Sequence, residues 1–144
     1  MATSIILDTD IGTDVDDCLA LGVIFGSPEL DLVGVTTVYG DVALRARMVQ
    51  KLLRLRGISG IPVITGARPP LLNKRSVYWA GHEGVGLLEP GDDSLSATGD
   101  DAAGYIVRTA NERPGEIHLV AIGPLTNIAI ALLRDPDLGS ASPG

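Results

Sequence analysis

The sequence of 144 residues contains few cysteines, aromatic residues and histidines, and no excess of positive charge. Its single cysteine, Cys18, cannot form an internal disulfide bond, which indicates a reducing compartment. The net charge of −7 argues against a nucleic-acid-binding surface. There is no apolar run long enough to cross a bilayer and no signal-peptide pattern, so we expect a cytoplasmic protein without a membrane partner.

Aliphatic residues and glycine dominate instead: 45% of the residues are hydrophobic, 3% are aromatic and 18 are glycines. This composition is typical of an α/β protein, and the length allows a single domain, residues 1–144. Short apolar segments predict strands at 5–7, 30–39, 61–65 and 117–122. Helical spacing and capping residues predict one helix that starts at Asp16 and others at 42–56, 101–111 and 125–134. Residues 135–144 are polar and rich in Gly and Pro, and we predict that they form a frayed tail.

Strands and helices alternate along the chain, with a long loop before the third helix. Right-handed crossovers then give a Rossmann-like open parallel sheet with helices on both faces. The loop, residues 66–96, is unusually long for a compact domain, which favours a functional or partner-facing role. The basic residues of helix 42–56 occur at helical spacing, and we interpret them as a solvated face: Arg45, Arg47, Lys51, Arg54 and Arg56.

Five carboxylates lie within ten positions at the end of the first strand: Asp8, Asp10, Asp14, Asp16 and Asp17. Like charges at this density repel one another unless a cation or protons neutralise them. Carboxylate oxygens suit a hard divalent cation, Ca²⁺ or Mg²⁺. Helix capping explains one or two of these aspartates but not five, so we predict a metal or catalytic role.

Three segments follow predicted strands: the acidic loop, residues 39–41 and residues 122–126. In a parallel sheet the carboxyl ends of the strands share one edge, and ligands bind there in open α/β folds. We therefore expect these segments to meet at that edge.

Three motifs occur in the order DTDIGTDVDDCLAL, VTTVYGD and AIGPLTNIAIAL. They resemble the N-terminal half of the inosine–uridine-preferring nucleoside hydrolases, over residues Ile5 to Leu133, with a weaker match in GHEGVG around His82. The resemblance implies the nucleoside hydrolase fold in truncated form. It also implies a Ca²⁺-dependent N-ribohydrolase of nucleoside salvage or catabolism, which uses water to cleave a ribonucleoside into free base and ribose.

The family pattern D-x-D-x-G-x-D-D carries two additional residues in this sequence. Because valine cannot ligate calcium, we align the family's Asp pair with Asp16 and Asp17 rather than with residues 14 and 15. The resemblance then implies that Asp10 is both a calcium ligand and the general base for the attacking water, and that Asp17 is a second ligand. The backbone carbonyl of Ile122 matches another calcium ligand, and Asp16 matches a residue that binds the ribose hydroxyls.

Asp8, Asp41 and His82 receive secondary roles from the resemblance, and we count Asp14, to which the alignment gives no role, among the supporting residues. Asp8 and Asp14 would support the site from nearby. Asp41 stands where many members carry Asn beside the ribose, and His82 aligns with a histidine near the pocket, although a plain loop histidine is an equal alternative. The chemistry agrees, since negative groups around the sugar stabilise an oxocarbenium-like transition state.

Members of this family are considerably longer, and their C-terminal half supplies another calcium-ligating Asp and a His near the leaving base. Neither residue can be assigned in this sequence, so we expect an incomplete, weakly active or inactive chain. The full-length form is expected to be a homo-oligomer, as in the family.

Two alternatives remain open from the residues themselves. A haloacid-dehalogenase-like phosphatase would use Asp8 as its nucleophile and Asp10 as its acid, with Mg²⁺. Its D-x-D-G-T motif, however, does not accommodate Ile11 before Gly12. A non-catalytic metal-binding remnant of the hydrolase is the other alternative.

Overall fold

Four strands lie side by side in one parallel sheet in the computed structural model, which describes residues 2–139. The strands are β1 (Thr3–Thr9), β2 (Leu30–Thr37), β3 (Val63–Thr65) and β4 (Ile117–Ala121), in the order β3-β2-β1-β4. All three neighbouring pairs are parallel, and Leu7 of β1 lies opposite Val35 of β2 and Val120 of β4. Their aliphatic, largely β-branched sequences suit strands that are covered on both faces.

The helices cover the two faces of the sheet in pairs. They are α1 (Asp16–Gly26), α2 (Val42–Leu55), α3 (Ala102–Glu112) and α4 (Thr126–Arg134). Residues of α1 and α2 share a core with Ile5 and Leu7, whereas residues of α3 and α4 share the opposite core with Ile6. Successive side chains of a strand point to opposite faces, which is why β1 supplies both cores. The predicted Rossmann-like open sheet is confirmed.

The order of the strands changes direction at β1. β2 and β3 extend the sheet on one side of β1, and β4 lies on its other side. The loops that leave β1 and β4 therefore diverge, and they leave a crevice at the carboxyl ends of these two strands. Open α/β folds bind their ligands at such switch points.

Several boundaries differ from those predicted by the sequence. β2 ends at Thr37 rather than at residue 39, because Tyr39 has a φ of 69° and turns the chain toward α2. β3 begins at Val63 rather than at residue 61. Of the predicted frayed tail, residues 140–144 lie outside the described part of the chain, while Asp135 accepts a hydrogen bond from Asn111 at 2.8 Å.

The predicted long loop connects β3 to α3 and contains a short 3-10 turn, Pro90–Asp92. Lys51 of α2 contacts Asp92 of this turn at 2.7 Å, and Lys51 is only 6% exposed. Arg45 is completely buried. The interpretation of the basic residues of α2 as a solvated face is therefore wrong for Lys51 and Arg45, because loops fold over them and supply acceptors for their charged groups.

Across residues 2–139, none of the helices combines the length and the apolar character that crossing a membrane requires.

Candidate metal and substrate site

A cavity of about 320 Å³ opens at the carboxyl ends of β1, β2 and β4. Its wall combines carboxylates with a hydroxyl group, two tyrosines and one aliphatic residue: Asp10, Thr13, Asp14, Asp16, Asp17, Tyr39, Tyr78 and Ile122. The segment between β1 and α1 supplies the acidic part of the wall, and the loops after β2, β3 and β4 supply the rest. The acidic loop and the segments that contain Tyr39 and Ile122 each follow a strand, and they meet at this edge of the sheet as predicted.

Three of the carboxylates stand close to one another. One oxygen from each of Asp14, Asp16 and Asp17 lies within 4.8 Å of the other two. A hydrogen bond with Asp16, together with burial and repulsion by Asp16 and Asp10, raises the pKa of Asp14. The N-cap position of α1 is occupied by Val15, and none of the side chains of residues 2–139 caps the start of this helix. Side-chain capping of α1 therefore does not explain this group of carboxylates.

Asp17 is the buried member of this group, with 4% of its surface exposed. Thr9, the last residue of β1, donates a hydrogen bond from its hydroxyl group to Asp17 Oδ1. Burial raises the pKa of Asp17 to about 6, and repulsion by Asp10 and Asp16 adds to this effect despite the Thr9 hydrogen bond. The first turn of α1 thus presents a carboxylate that is costly to ionise unless positive charge is nearby.

Asp8 lies beneath the cavity, fully buried in β1. Its Oδ1 accepts hydrogen bonds from the Thr36 hydroxyl group and from Asn127 Nδ2, the latter at 2.7 Å. Among residues 2–139 nothing donates a hydrogen bond to the buried Oδ2. Burial raises the pKa of Asp8 to about 6, against the effect of its two donors. A buried carboxylate oxygen that accepts no hydrogen bond is energetically unfavourable unless a proton or a cation lies close by.

Asp10 and Ile122 approach one another at the switch point. Burial raises the pKa of Asp10, while the charge of Arg45 opposes this shift. The Ile122 N–H donates to the carbonyl of Asp8 at 2.9 Å, which extends the contact between β1 and β4 beyond the strands. A Cβ atom on Gly123 would lie 3.0 Å from Asp10 Oδ1 and 2.8 Å from Val38 Cγ1. The Ile122–Gly123 peptide therefore runs directly beside the Asp10 side chain.

Besides the buried Asp8, two of the sequence-predicted residues do not line the cavity. Asp41 caps α2, since its Oδ1 accepts from the Leu44 N–H at 3.0 Å, and Arg68 lies 3.6 Å from the same oxygen. His82 is exposed, and its Nε2 lies 2.8 Å from the carbonyl of Thr13. His82 thus contacts the acidic loop from outside.

The sequence did not predict a role for three buried polar residues around the site, namely Asn127, Glu83 and Arg45. Asn127, at the start of α4, contacts Asp8 and also accepts from the Ala67 N–H at 2.8 Å through its Oδ1. Glu83 accepts a hydrogen bond from the Thr13 hydroxyl group at 3.0 Å. The motifs GPLTN and GHEGVG could have pointed to Asn127 and Glu83, whereas nothing in the sequence separated Arg45 from the other basic residues of α2.

The donor set fits a hard divalent cation. Burial and repulsion by neighbouring carboxylates raise the pKa values of Asp10 and Asp17, and the orphaned Oδ2 of Asp8 lies buried nearby. Oxygen ligands of this kind suit Ca²⁺ or Mg²⁺, and a bound cation would reverse the repulsion among them.

Comparison with known proteins agrees with this architecture. The profile of the family "Inosine-uridine preferring nucleoside hydrolase" matches residues 5–142. A probable uridine nucleosidase 2 of Arabidopsis thaliana is 37% identical over 142 residues, which cover 92% of this chain and 42% of that protein. The inosine-uridine preferring nucleoside hydrolase of Crithidia fasciculata is 34% identical over 144 residues, or 94% of this chain and 44% of the relative.

Solved structures give the same result. A plant nucleoside hydrolase superposes with a TM-score of 0.78 at 35% identity, over 98% of this chain and 46% of the plant protein. A purine-preferring ribonucleoside hydrolase from Gardnerella vaginalis superposes with a TM-score of 0.81 at 29% identity, over 96% and 46% of the two chains. The chain thus spans less than half the length of these relatives. With its sheet, its acidic loop and this match over nearly all of its length, the chain belongs to the inosine–uridine-preferring nucleoside hydrolase family.

Proposed function

We propose that this chain supplies the metal-binding and water-activating part of a ribonucleoside hydrolase, which cleaves the N-glycosidic bond to give free base and ribose. The observation that carries the proposal is the single cavity lined by Asp10, Asp16, Asp17 and Ile122 at the switch point of the sheet. The names of the relatives support a small-molecule nucleoside as the substrate, since they include uridine nucleosidases and an inosine–uridine-preferring enzyme.

In this proposal Ca²⁺ is the cofactor, held by the carboxylates of Asp10 and Asp17 and by the backbone carbonyl of Ile122. When bound, the ion would supply positive charge that acidifies a water molecule and attracts hydroxyl oxygens. The choice of calcium over magnesium rests on the family resemblance, because both cations take carboxylate and carbonyl oxygens.

Asp10 acts as the general base, since its carboxylate lines the cavity and can accept a proton from the attacking water. Asp16 is exposed at the start of α1, where its carboxylate can accept hydrogen bonds from two ribose hydroxyls. The remaining negative charge of the loop stabilises the oxocarbenium-like transition state as the bond to the base breaks.

Asp8 and Asp14 support the site in this scheme: Asp8 anchors the end of β1, and Asp14 adds negative charge at the rim. We propose only a secondary role for Asp41 and His82: they would contact a ribose that extends beyond the described cavity wall.

This chain provides only part of the machinery in our proposal, so we expect slow turnover compared with the longer relatives. Homo-oligomer formation by a full-length form and a cytoplasmic location are likewise proposed, the latter because Cys18 is unpaired and exposed.

The phosphatase alternative finds no support. It would require Asp8 to attack a phosphate ester, but Asp8 is 0% exposed and its Oδ1 is engaged by Thr36 and Asn127. A nucleophile in this position cannot reach a substrate without displacement of β1 from the core.

The test compares two activities of the purified chain. Reducing-sugar release from inosine and uridine is measured with calcium and with a chelator, and release of a generic aryl alcohol from its phosphate ester is measured with magnesium. We expect slow, calcium-dependent sugar release that falls at least 100-fold in Asp10→Asn. Sugar release that persists in Asp10→Asn or in chelator, or turnover of the phosphate ester, would overturn the proposal.

A further inference from the structure

Arg45 is the largest fully buried side chain in the described part of the molecule, and it reaches from α2 to the acidic loop. Its Nη1 donates to the backbone carbonyls of Asp10 and Ile11, the latter at 2.6 Å. Its Nε donates to the carbonyl of Tyr39 at 2.7 Å, and its Nη2 lies 3.3 Å from the Thr13 hydroxyl oxygen. One guanidinium group therefore joins the loop after β1 to the loop after β2.

Three of the four hydrogen-bond partners of this buried arginine are backbone carbonyls. None of the ion pairs found among residues 2–139 includes Arg45. The guanidinium carbon instead lies 5.1 Å from the centre of the Trp79 ring, which covers it. A buried positive charge beside several carboxylates would be expected to pair with one of them, so its use on carbonyls indicates a geometric task.

The loop that Arg45 holds is also held from the other side. Thr13 donates to Glu83 at 3.0 Å, and Glu83 in turn accepts from the N–H groups of Ala80 and Gly81 at 2.9 and 2.8 Å. Trp79 belongs to this same segment. The acidic loop is thus fixed between α2 and residues 79–83, with Arg45 at the centre of the contact.

We propose that Arg45 is a positioning residue for the metal site: its planar fork fixes the carbonyls of Asp10 and Ile11, and so holds the Asp10 and Asp17 carboxylates in the arrangement that binds the cation. This inference rests on the proposed calcium site. Lysine cannot replace arginine in this role, because a single ammonium group cannot donate along four separate directions from one rigid plane.

A positioning role and a purely electrostatic role for Arg45 predict opposite changes in calcium affinity when Arg45 is replaced. A positive charge near a cation site repels the cation, so removal of the charge alone should tighten calcium binding. Removal of a residue that positions the ligands should weaken it, typically by tenfold to a hundredfold. The two effects are therefore separated by the direction of the change in affinity.

The experiment is a calcium titration of the full 144-residue chain by calorimetry, with Arg45→Met, Arg45→Lys and the control Arg56→Met. Arg56 lies exposed at the C-terminal end of the same helix. We expect both Arg45 variants to bind calcium at least about tenfold more weakly than the wild type, and Arg56→Met to bind it equally well. Circular dichroism and thermal melting establish which variants are folded at the temperature of the titration.

Each outcome has a distinct meaning. Tighter binding by Arg45→Met with unchanged binding by Arg45→Lys would show that Arg45 acts through charge alone, and would overturn the proposal. A lower melting temperature with unchanged affinity, or failure of both variants to fold, would assign Arg45 to stability alone. If the wild-type chain binds no calcium, the proposed metal site is overturned, and the positioning role with it. If the wild type binds calcium and both Arg45 variants bind it equally well, only the positioning role is overturned.

Discussion

Individual carboxylates of the site are held in an environment that opposes their ionisation. Asp8 and Asp17 are buried, and burial raises the pKa of each from 3.8 to about 6. Between these two values the folded protein binds protons that the unfolded chain releases, so stability rises as the pH falls through this range. At neutral pH, above both pKa values, each shift destabilises the folded protein relative to the unfolded chain by about 3 kcal/mol.

The first prediction concerns this pH dependence. Without calcium, the melting temperature should be higher at pH 5 than at pH 7, because Asp8 and Asp17 are largely protonated at the lower value. Below about pH 3.8 the gain from Asp8 and Asp17 is complete. Stability should then fall again, since hydrogen bonds from backbone N–H groups and Thr13 lower the pKa of Glu83 to about 2 despite its burial. Saturating calcium should reverse the order of pH 5 and pH 7, because the cation binds only the ionised site. Calorimetric melting curves at both pH values, with calcium and with chelator, measure this.

Asp17→Asn serves as the matched variant for that prediction. The amide keeps the shape and an acceptor for Thr9, but it removes the charge and most of the metal affinity. In chelator at pH 7 we expect it to melt at a higher temperature than the wild type, and calcium should no longer stabilise it. Destabilisation of Asp17→Asn in chelator would contradict the assignment of a repulsive, cation-dependent site.

The second prediction tests the close approach at the switch point. In Gly123→Ala the new methyl group would lie 2.9 Å from the Asp10 backbone nitrogen and 2.8 Å from Val38 Cγ1. We expect a loss of about 1–3 kcal/mol in the free energy of unfolding and weaker calcium binding. Gly22→Ala is the control, since no neighbouring atom in the described part of the chain lies within 4 Å of the methyl group added to α1. It should be neutral or stabilise by up to about 1 kcal/mol, as measured by urea denaturation of the two variants.

At the level of elements, α2 organises more of the molecule than its sequence suggests. Its N-terminal half reaches the acidic loop through Arg45, and its C-terminal half holds the long loop. Lys51 contacts Glu89 at 2.9 Å and Asp92 at 2.7 Å, and Arg54 also binds Asp92, which is 1% exposed. The hydrogen bond from Lys51 is the main cause that lowers the pKa of Asp92. The loop is thus tied to α2 by ion pairs that converge on the buried Asp92.

The third prediction follows from this attachment. Among the described residues, Lys51→Met leaves Arg54 as the single cationic partner of the buried Asp92, so the segment around residues 88–95 should detach more readily. We expect limited proteolysis to cleave this loop several-fold faster than in the wild type. Lys74→Met, an exposed position in the same loop, is the control and should leave the rate unchanged. Equal cleavage rates for Lys51→Met and the wild type would contradict the anchoring role.

At the level of the whole molecule, the chain exposes apolar surface that a stable monomer normally covers. Val15, Leu19 and Val23 recur along one side of α1 and are 71%, 65% and 64% exposed. β4 is an edge strand of the described sheet, and Val120 on this strand is 38% exposed. Unpaired strand edges and apolar patches of this kind favour association.

The fourth prediction is therefore concentration-dependent self-association of the 144-residue chain. Replacing Leu19 and Val23 together by glutamine should shift the sedimentation distribution toward the monomer. The matched control replaces Leu71 and Leu72, which are 56% and 78% exposed in the long loop, and should leave the distribution unchanged. A wild-type chain that stays monomeric at high concentration would contradict the prediction.

The sequence by itself determined the order of the elements, the fold class and the edge of the sheet at which the acidic cavity lies. Apolar strands, helices with regularly spaced apolar residues and the carboxylates after β1 are all local features of the sequence. The rules of crossover handedness then leave little choice about where the strand ends meet. Those features were sufficient to bring the loops with Asp10 and Ile122 to one edge.

Tertiary structure alone decided which polar residues became buried, and against what. In the sequence Arg45, Lys51 and Arg56 are equivalent positions on one basic helix. In the folded chain the first two find acceptors on loops that are distant in sequence, and the third stays in solvent. The physical reason is that the energy of a charge depends on the groups that surround it after folding. The acceptor of Arg45 lies 35 residues before it in the sequence, and that of Lys51 lies 41 residues after it. Helical spacing carries no information about loops so distant in the sequence.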